Sequence, residues 1–136
     1  MTAETVIVTP YEKIGGADAV RRLAEAFYDV MDAPDFAALR AMHEPDLGPM
    51  REALAGFLTA GLGGPRDWIT SQGGFCIMSR HAGMGITEPT RAQWMAAMRK
   101  ALDQAGIAPQ WADKMTQALE PISRGMLRRG PGALPA

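Results

Sequence analysis

The stretch AVRRLAEAFYDVMDAP, residues 19–34, decides the fold. Its apolar side chains recur at helical spacing, at Val20, Leu23, Ala24, Phe27 and Met31, with charged residues mostly between them. This spacing places the apolar side chains on one face of an α-helix. Pro34 ends the helix, because proline cannot continue it and biases the residue before it away from the helical region. The stretch therefore predicts an amphipathic helix that packs against other helices.

Further stretches carry the same periodicity and predict more helices. Their apolar stripes are Met50–Leu54–Phe57–Leu58–Gly61, Trp94–Ala97–Met98–Ala101–Leu102–Ala105 and Trp111–Met115–Ala118–Leu119–Ile122–Met126. We expect the first of these helices over about 49–62, stopped by Gly63-Gly64-Pro65. The second should run from a cap at Thr87 to Gly106, and the third should kink at Pro121. With a short helix from Pro34 to about Met42, the prediction is a single all-α domain.

Composition and charge exclude several classes of protein. The chain has 136 residues, 47% of them hydrophobic, which suffices for one domain with an apolar core. A net charge of −1 argues against non-specific nucleic-acid binding. The single cysteine, Cys76, rules out an intrachain disulfide, and with His43 and His81 it offers too few ligands for a structural zinc site. Because neither a secretory signal nor a membrane-spanning stretch is visible, we expect a cytoplasmic protein.

One segment, residues 63–86, does not fit a regular helix. It is rich in glycine and contains Cys76 and His81. A connection of this length between two strong helices is unusual and is often functional. We expect the folded domain over residues 11–128, with a flexible arm at residues 1–10 and a disordered tail at residues 129–136.

Four side chains are candidates for chemistry: Tyr28, His43, His81 and Trp94. Taken singly, each has an ordinary explanation, because Tyr28 and Trp94 lie on or beside apolar stripes and either histidine could lie at the surface. A nucleophilic pair of Cys76 and His81 lacks a third, orienting group. Taken together, one histidine on an irregular segment and several hydrogen-bonding side chains in an apolar helical domain are what a haem pocket needs.

From Tyr11 to about Arg128 the chain resembles the truncated haemoglobins, most closely their second group. The resemblance is carried by short motifs in a specific order, namely Tyr11-Glu12-Lys13-Ile14-Gly15-Gly16, Arg22…Phe27-Tyr28, Leu39-Arg40-Ala41-Met42-His43, Phe57-Leu58, Gly63-Gly64-Pro65, Arg80-His81-Ala82 and Trp94. It implies a shortened globin, a two-over-two helical sandwich around haem b.

By this resemblance His81 is the proximal ligand of the haem iron. Tyr28 corresponds to the distal tyrosine, Trp94 to the distal tryptophan typical of the second group, and His43 to a position where a polar residue joins the distal network. Direct binding of the iron by His43 or Tyr28, when no other ligand is present, is a second possibility. Met50 falls where many globins have a distal histidine. The other expected pocket residues are Phe27, Leu54, Phe57, Leu58 and Arg80.

The implied function is reversible binding of dioxygen, and of nitric oxide or other diatomic ligands, at the iron. Hydrogen-bond donors beside the ligand slow its release, which suits redox chemistry or sensing more than oxygen delivery. Nitric oxide dioxygenation or peroxidase-like turnover would depend on an external reductase, because the chain has no flavin or nicotinamide domain. We expect no nucleic-acid or membrane partner, and a monomer or a homodimer.

Departures from the family's pattern favour an alternative function. Where relatives carry basic residues near the haem propionates, this chain has Cys76 and Met78, so that Arg80 alone remains nearby. Gly83 also stands where a proline usually follows the histidine. The alternative is a globin-fold sensor or interaction module with weak or no haem binding.

Overall fold

The computed structural model describes residues 8–71 and 85–127. Within these ranges every regular element is helical: α1 (Pro10–Ile14), α2 (Gly16–Val30), a 3-10 turn (Pro34–Phe36), α3 (Ala37–Ala41), α4 (Gly48–Gly61), α5 (Asp67–Ser71), α6 (Glu88–Gln104) and α7 (Pro109–Gly125). The prediction of an all-α fold is confirmed. Most of the predicted N-terminal arm and the whole predicted tail lie outside the described residues.

Helix α2 forms as its periodicity predicts. Val20, Leu23, Ala24 and Phe27 are buried along one face, while the arginines between them are exposed. Met31, which follows the helix directly, is fully buried as well. The stretch that decides the fold therefore supplies a continuous apolar surface for its neighbours.

The four long helices form two pairs. Helix α2 packs against α4, α6 packs against α7, and contacts between α2 and α6 join the pairs. The fully buried large side chains of the two joining helices include Leu23, Phe27, Met98 and Leu102. Because burial of such a side chain contributes about 1.5–3 kcal/mol relative to exposure, this apolar contact is the main attachment between the pairs.

Helix α4 begins and ends within a residue of its predicted bounds. Gly63, just after it, has φ of 88°, a conformation that glycine adopts without strain. The predicted stripe is wrong at Met50, which is 38% exposed, and at Gly61, which is also exposed, and the buried run begins at Leu54. The neighbouring side chains of this turn, Arg51 and Glu52, form ion pairs with α2.

The described part of the glycine-rich segment, residues 63–71 and 85–86, contains one short helix. The expectation that residues 63–86 lack regular helix is wrong at α5, whose Trp68 packs against Gly56 of α4. A Cβ atom added at Gly56 would lie 2.3 Å from Cδ2 of the Trp68 ring. Cys76, Arg80 and His81 lie outside the described residues.

Helix α6 follows its predicted capping and stop signals. The Thr87 hydroxyl accepts the Thr90 backbone N–H at 3.5 Å, and the Thr90 hydroxyl oxygen accepts the Thr87 N–H at 2.9 Å, which together form a capping box. Helix α7 continues through Pro121. Its predicted stripe is wrong at Ala118, which is exposed at the edge of the helix. No helix among the described residues could span a membrane.

Candidate functional site

Three aromatic side chains form a contact chain between α2 and α6. Phe27 is fully buried, and its ring meets the Tyr28 ring edge-on with centroids 5.1 Å apart and planes at 76°. On its other side Phe27 meets the Trp94 ring, at 5.4 Å and 66°. Such edge-to-face pairs add stability beyond the apolar area they bury. The contact between α2 and α6 therefore also places Tyr28 and Trp94 against the same residue, Phe27.

His43 joins this cluster from the loop after α3. Its ring lies edge-on to the Tyr28 ring, with centroids 5.9 Å apart. Nδ1 of His43 is 2.9 Å from the backbone oxygen of Leu39. Because a carbonyl oxygen only accepts, Nδ1 must carry the proton, and in the neutral ring Nε2 then carries the lone pair. The predicted role of His43 beside the distal donors stays a prediction from the resemblance.

Gln93 fixes the position of this loop relative to α6. Its Oε1 accepts the backbone N–H of Leu39 at 3.0 Å. Leu39 is the residue whose carbonyl holds His43, and Gln93 precedes Trp94 in the chain. The Gln93 side chain therefore links the loop that carries His43 to the helix that carries Trp94. Sequence analysis missed Gln93, because its partner lies 54 residues away.

Tyr28 is buried as a residue, and within residues 8–71 and 85–127 its hydroxyl makes no hydrogen bond. Every fully buried side-chain oxygen or nitrogen of the described residues has a partner, so this hydroxyl keeps some access to solvent. Burial raises the pKa of Tyr28 to about 12, against a smaller lowering of the pKa by the charge of Arg51. The phenol is therefore protonated throughout the physiological range and remains a donor. The hydroxyl can therefore donate a hydrogen bond to a ligand that lies beside it.

The predicted lining residues of α4 are placed in or near the core. Leu54 and Leu58 are buried in the same apolar cluster as Phe27 and Tyr28, and Phe57 packs against that cluster half-buried. Met50 lies outside the cluster at the surface. The pocket roles of these four residues remain predictions from the resemblance.

Sequence analysis did not single out two arginines, one of which contacts the cluster while the other lies three residues before Trp94 in the chain. Arg51 of α4 stands over the Tyr28 ring, with Cζ 5.8 Å from the centroid. Arg91, one turn before Trp94 in α6, is buried and pairs with Glu88, and it donates to Glu120 at 3.0 Å and to Ser123 at 3.1 Å. The only sequence signal for either was the spacing of Glu88 and Arg91, which suits a pair on one helix face.

The described part of the site fits a haem group. It presents the protonated hydroxyl of Tyr28, which no described residue hydrogen-bonds, and the imidazole of His43, both beside the apolar core. Hydrogen-bonding groups on one side of an apolar pocket are what a haem protein uses to control its ligand. The predicted iron ligand His81 and its neighbour Arg80 lie outside the described residues, so that the opposite side of the site rests on the sequence.

Comparisons with known proteins agree with the sequence and the fold. The family described as bacterial-like globin matches residues 9–128. The group II 2-on-2 haemoglobin of Agrobacterium tumefaciens is 32% identical with a TM-score of 0.85, over 96% of this chain and all 100% of that one. The cold-adapted truncated haemoglobin of Pseudoalteromonas haloplanktis TAC125 is 30% identical, with a TM-score of 0.84 over 90% and 100% of the two chains.

The group II truncated haemoglobin of Bacillus anthracis is 26% identical, with a TM-score of 0.82 over 96% of this chain and 100% of that one. The family match spans nearly the whole chain and agrees with the helical pairing described above. The predicted resemblance is therefore confirmed: the chain belongs to the bacterial-like globins, the truncated haemoglobins of the two-over-two fold, which implies a haem-binding protein.

Proposed function

We propose that this chain binds haem b through His81 and reversibly takes up dioxygen, nitric oxide or another diatomic ligand on the side lined by Tyr28, Trp94 and His43. The observation that carries the proposal is Tyr28, whose ring is buried against Phe27 while its protonated and accessible hydroxyl makes no hydrogen bond to a described residue. When bound, the haem iron would supply the coordination position for the ligand.

The chain's own side chains would control how long the ligand stays. Tyr28 is a donor at every physiological pH, because its pKa is about 12. Trp94 is a second donor, because an indole N–H only donates. The accepting Nε2 of a neutral His43 can orient a hydroxyl or a water molecule beside it. Each donated hydrogen bond contributes about 0.5–1.5 kcal/mol, or about 1.5–3 kcal/mol to a charged acceptor.

Slow release favours sensing or redox turnover over oxygen transport. A nitric oxide dioxygenase or peroxidase-like reaction would take its electrons from an external reductase. The apolar side chains of Leu54, Leu58 and Phe27 would exclude water from the ligand. Exclusion of water strengthens the hydrogen bonds that Tyr28 and Trp94 donate, because the local dielectric is low.

The test is a titration of the full chain with haemin, followed by its visible absorption spectrum. We expect a globin-like spectrum in the wild type that is lost or strongly shifted in His81→Ala. His43→Ala is the matched control, because it removes the other histidine from the opposite side and should keep the uptake of haem. A wild type that takes up no haem specifically would contradict the proposal and favour the sensor or interaction module.

A further inference from the structure

Arg51 is the one residue of the first turns of α4 whose side chain reaches two carboxylates of α2. Its Nη1 donates to the Glu25 carboxylate at 2.8 Å and to the Glu25 backbone oxygen at 3.0 Å. Its Nη2 donates to Asp29 at 3.1 Å. The Arg51 side chain is 22% exposed, which is less than either carboxylate. The planar guanidinium is therefore held by three acceptors in a fixed orientation.

The held guanidinium lies over the ring of Tyr28. Glu25 and Asp29 flank Tyr28 on α2, and the distance from Arg51 Cζ to the ring centroid is 5.8 Å. A cation within about 6 Å of an aromatic face is attracted to it. Among residues 8–71 and 85–127, the charged and titratable groups around Tyr28 are Arg51 from α4, Glu25 and Asp29 from its own helix, and His43 from the loop after α3.

We propose that Arg51 is a positioning residue for Tyr28: by tying α4 to α2 at Glu25 and Asp29, it holds a cation against the Tyr28 ring, fixes the phenol and makes its hydroxyl a stronger donor to the ligand. This inference rests on the proposed function, because it concerns the same site. It adds a residue that does not itself touch the ligand. The positive charge acts on the hydroxyl through the ring, which it polarises.

The first test is a double-mutant cycle on the rate of dioxygen release. Arg51→Met should raise the dissociation rate of the haem-loaded protein about two- to fivefold, the range that a partly exposed cation–aromatic contact represents. In a Tyr28→Phe background the ring remains but the hydroxyl is gone, so Arg51→Met should cause no further change. Equal acceleration in both backgrounds would overturn the inference.

Arg21→Met is the matched control. Arg21 also joins α2 to α4, through a bidentate pair with Glu52 at 2.8 Å and 3.2 Å, but its guanidinium makes no contact with the Tyr28 ring. If Arg51 acted only by holding the helices together, Arg21→Met would accelerate release similarly. We expect no change of the rate in Arg21→Met, and a similar acceleration would overturn the inference. If Arg51→Met does not fold, Arg51→Gln, which removes the same charge, is used in its place in every measurement.

A spectroscopic measurement follows Tyr28 directly. The chain has two tyrosines, so protein labelled with 13C at the ring carbon bearing the hydroxyl gives two signals, and Tyr28→Phe assigns them. Arg51→Met should move the Tyr28 signal, whereas Arg21→Met should leave it in place. An unmoved Tyr28 signal in Arg51→Met overturns the inference.

The failure of this inference is separable from that of the proposed function. If the wild type takes up no haem, the proposed function fails, and the tyrosine signals of the full chain as purified still decide whether Arg51 acts on the Tyr28 ring. If haem binds and Tyr28→Phe accelerates release but Arg51→Met gives the same acceleration in both backgrounds, the proposed function stands and the role of Arg51 is overturned.

Discussion

Tyr28 combines burial with a hydroxyl that no described residue engages, and both properties have measurable consequences. The pKa of its phenol rises from 10.0 to about 12, mainly through burial. Between these values the unfolded chain releases the proton and the folded chain keeps it, so stability falls as pH rises. The loss is complete only above the folded pKa and absent below about pH 10.

We therefore predict that Tyr28→Phe removes part of the alkaline loss of stability. A shift of the pKa from 10.0 to about 12 corresponds to roughly 2–3 kcal/mol in the free energy of unfolding. Urea unfolding at pH 9 and pH 11.5 captures about 2 kcal/mol of this loss, because pH 11.5 still lies below the folded pKa. Lysine deprotonation affects both proteins alike and cancels in the comparison. Tyr11→Phe removes the other tyrosine and should keep the wild-type loss. A Tyr28→Phe variant with the wild-type loss would show that the phenol is solvated in the native protein.

The same substitution should speed the release of dioxygen from the haem-loaded protein. Loss of one donated hydrogen bond of about 1–2 kcal/mol raises a dissociation rate roughly five- to thirtyfold. Stopped-flow displacement of dioxygen by carbon monoxide measures the rate. Tyr11→Phe serves again as control and should release the ligand at the wild-type rate. An unchanged rate in Tyr28→Phe would remove this tyrosine from the proposed mechanism.

At the residue scale, sequence reasoning found the groups with unusual chemistry but not the residues that hold them. Tyr28, His43 and Trp94 stand out by type and by family spacing; in the structure Tyr28 and Trp94 contact Phe27, and His43 contacts Tyr28. Arg51 and Arg91 look like solvated charges on helices. Their partners Glu25 and Glu120 lie 26 and 29 residues away, and only the tertiary fold reveals such pairs.

At the scale of the helix, the attachment of α5 to α4 depends on one glycine. The Trp68 ring lies where a side chain at Gly56 would stand. We predict that Gly56→Ala displaces Trp68 and lowers the free energy of unfolding by about 1–3 kcal/mol, the usual cost of overpacking. Urea unfolding followed by circular dichroism measures the loss, and tryptophan fluorescence should report the displaced ring.

Gly61→Ala is the control for this prediction. Gly61 lies in the same helix, and a Cβ atom there would meet nothing within 4 Å. Because alanine favours a helix over glycine by about 0.5–1 kcal/mol, Gly61→Ala should stabilise the chain slightly. If Gly56→Ala were also stabilising, Trp68 would not be packed on α4 in solution.

The long helices could be predicted from the sequence, whereas the short one could not. Stripes of four or more apolar positions define α2 and α6, and their ends carry proline, glycine or a threonine cap. Helix α5 has five residues, which is little more than one turn and shows no periodicity. It also lies in a glycine-rich segment that favours a loop, and its stability comes from Trp68 on Gly56, a tertiary contact.

At the scale of the whole molecule, ion pairs and apolar contacts lie at different helix interfaces. Ion pairs join the helices within each pair: Arg21–Glu52 and Arg51–Glu25 link α2 to α4, and Arg91–Glu120 and Arg99–Asp113 link α6 to α7. Among the described residues no ion pair links α2 to α6, whose facing side chains belong to the apolar core. The site proposed for the ligand lies along this apolar contact.

We predict that the apolar contact between α2 and α6 contributes more to stability than the ion pairs do. Leu23 and Arg21 lie two residues apart on α2, but Leu23 is fully buried and the Arg21 side chain is 47% exposed. Leu23→Ala should lower the free energy of unfolding by about 2–5 kcal/mol, the cost of a cavity in the core. Arg21→Met should cost far less, because exposed ion pairs contribute on the order of 0–1 kcal/mol. Urea unfolding at neutral pH compares them, and equal losses would mean that the ion pairs within each helix pair contribute as much to stability as the apolar contact of α2 with α6, along which the proposed site lies.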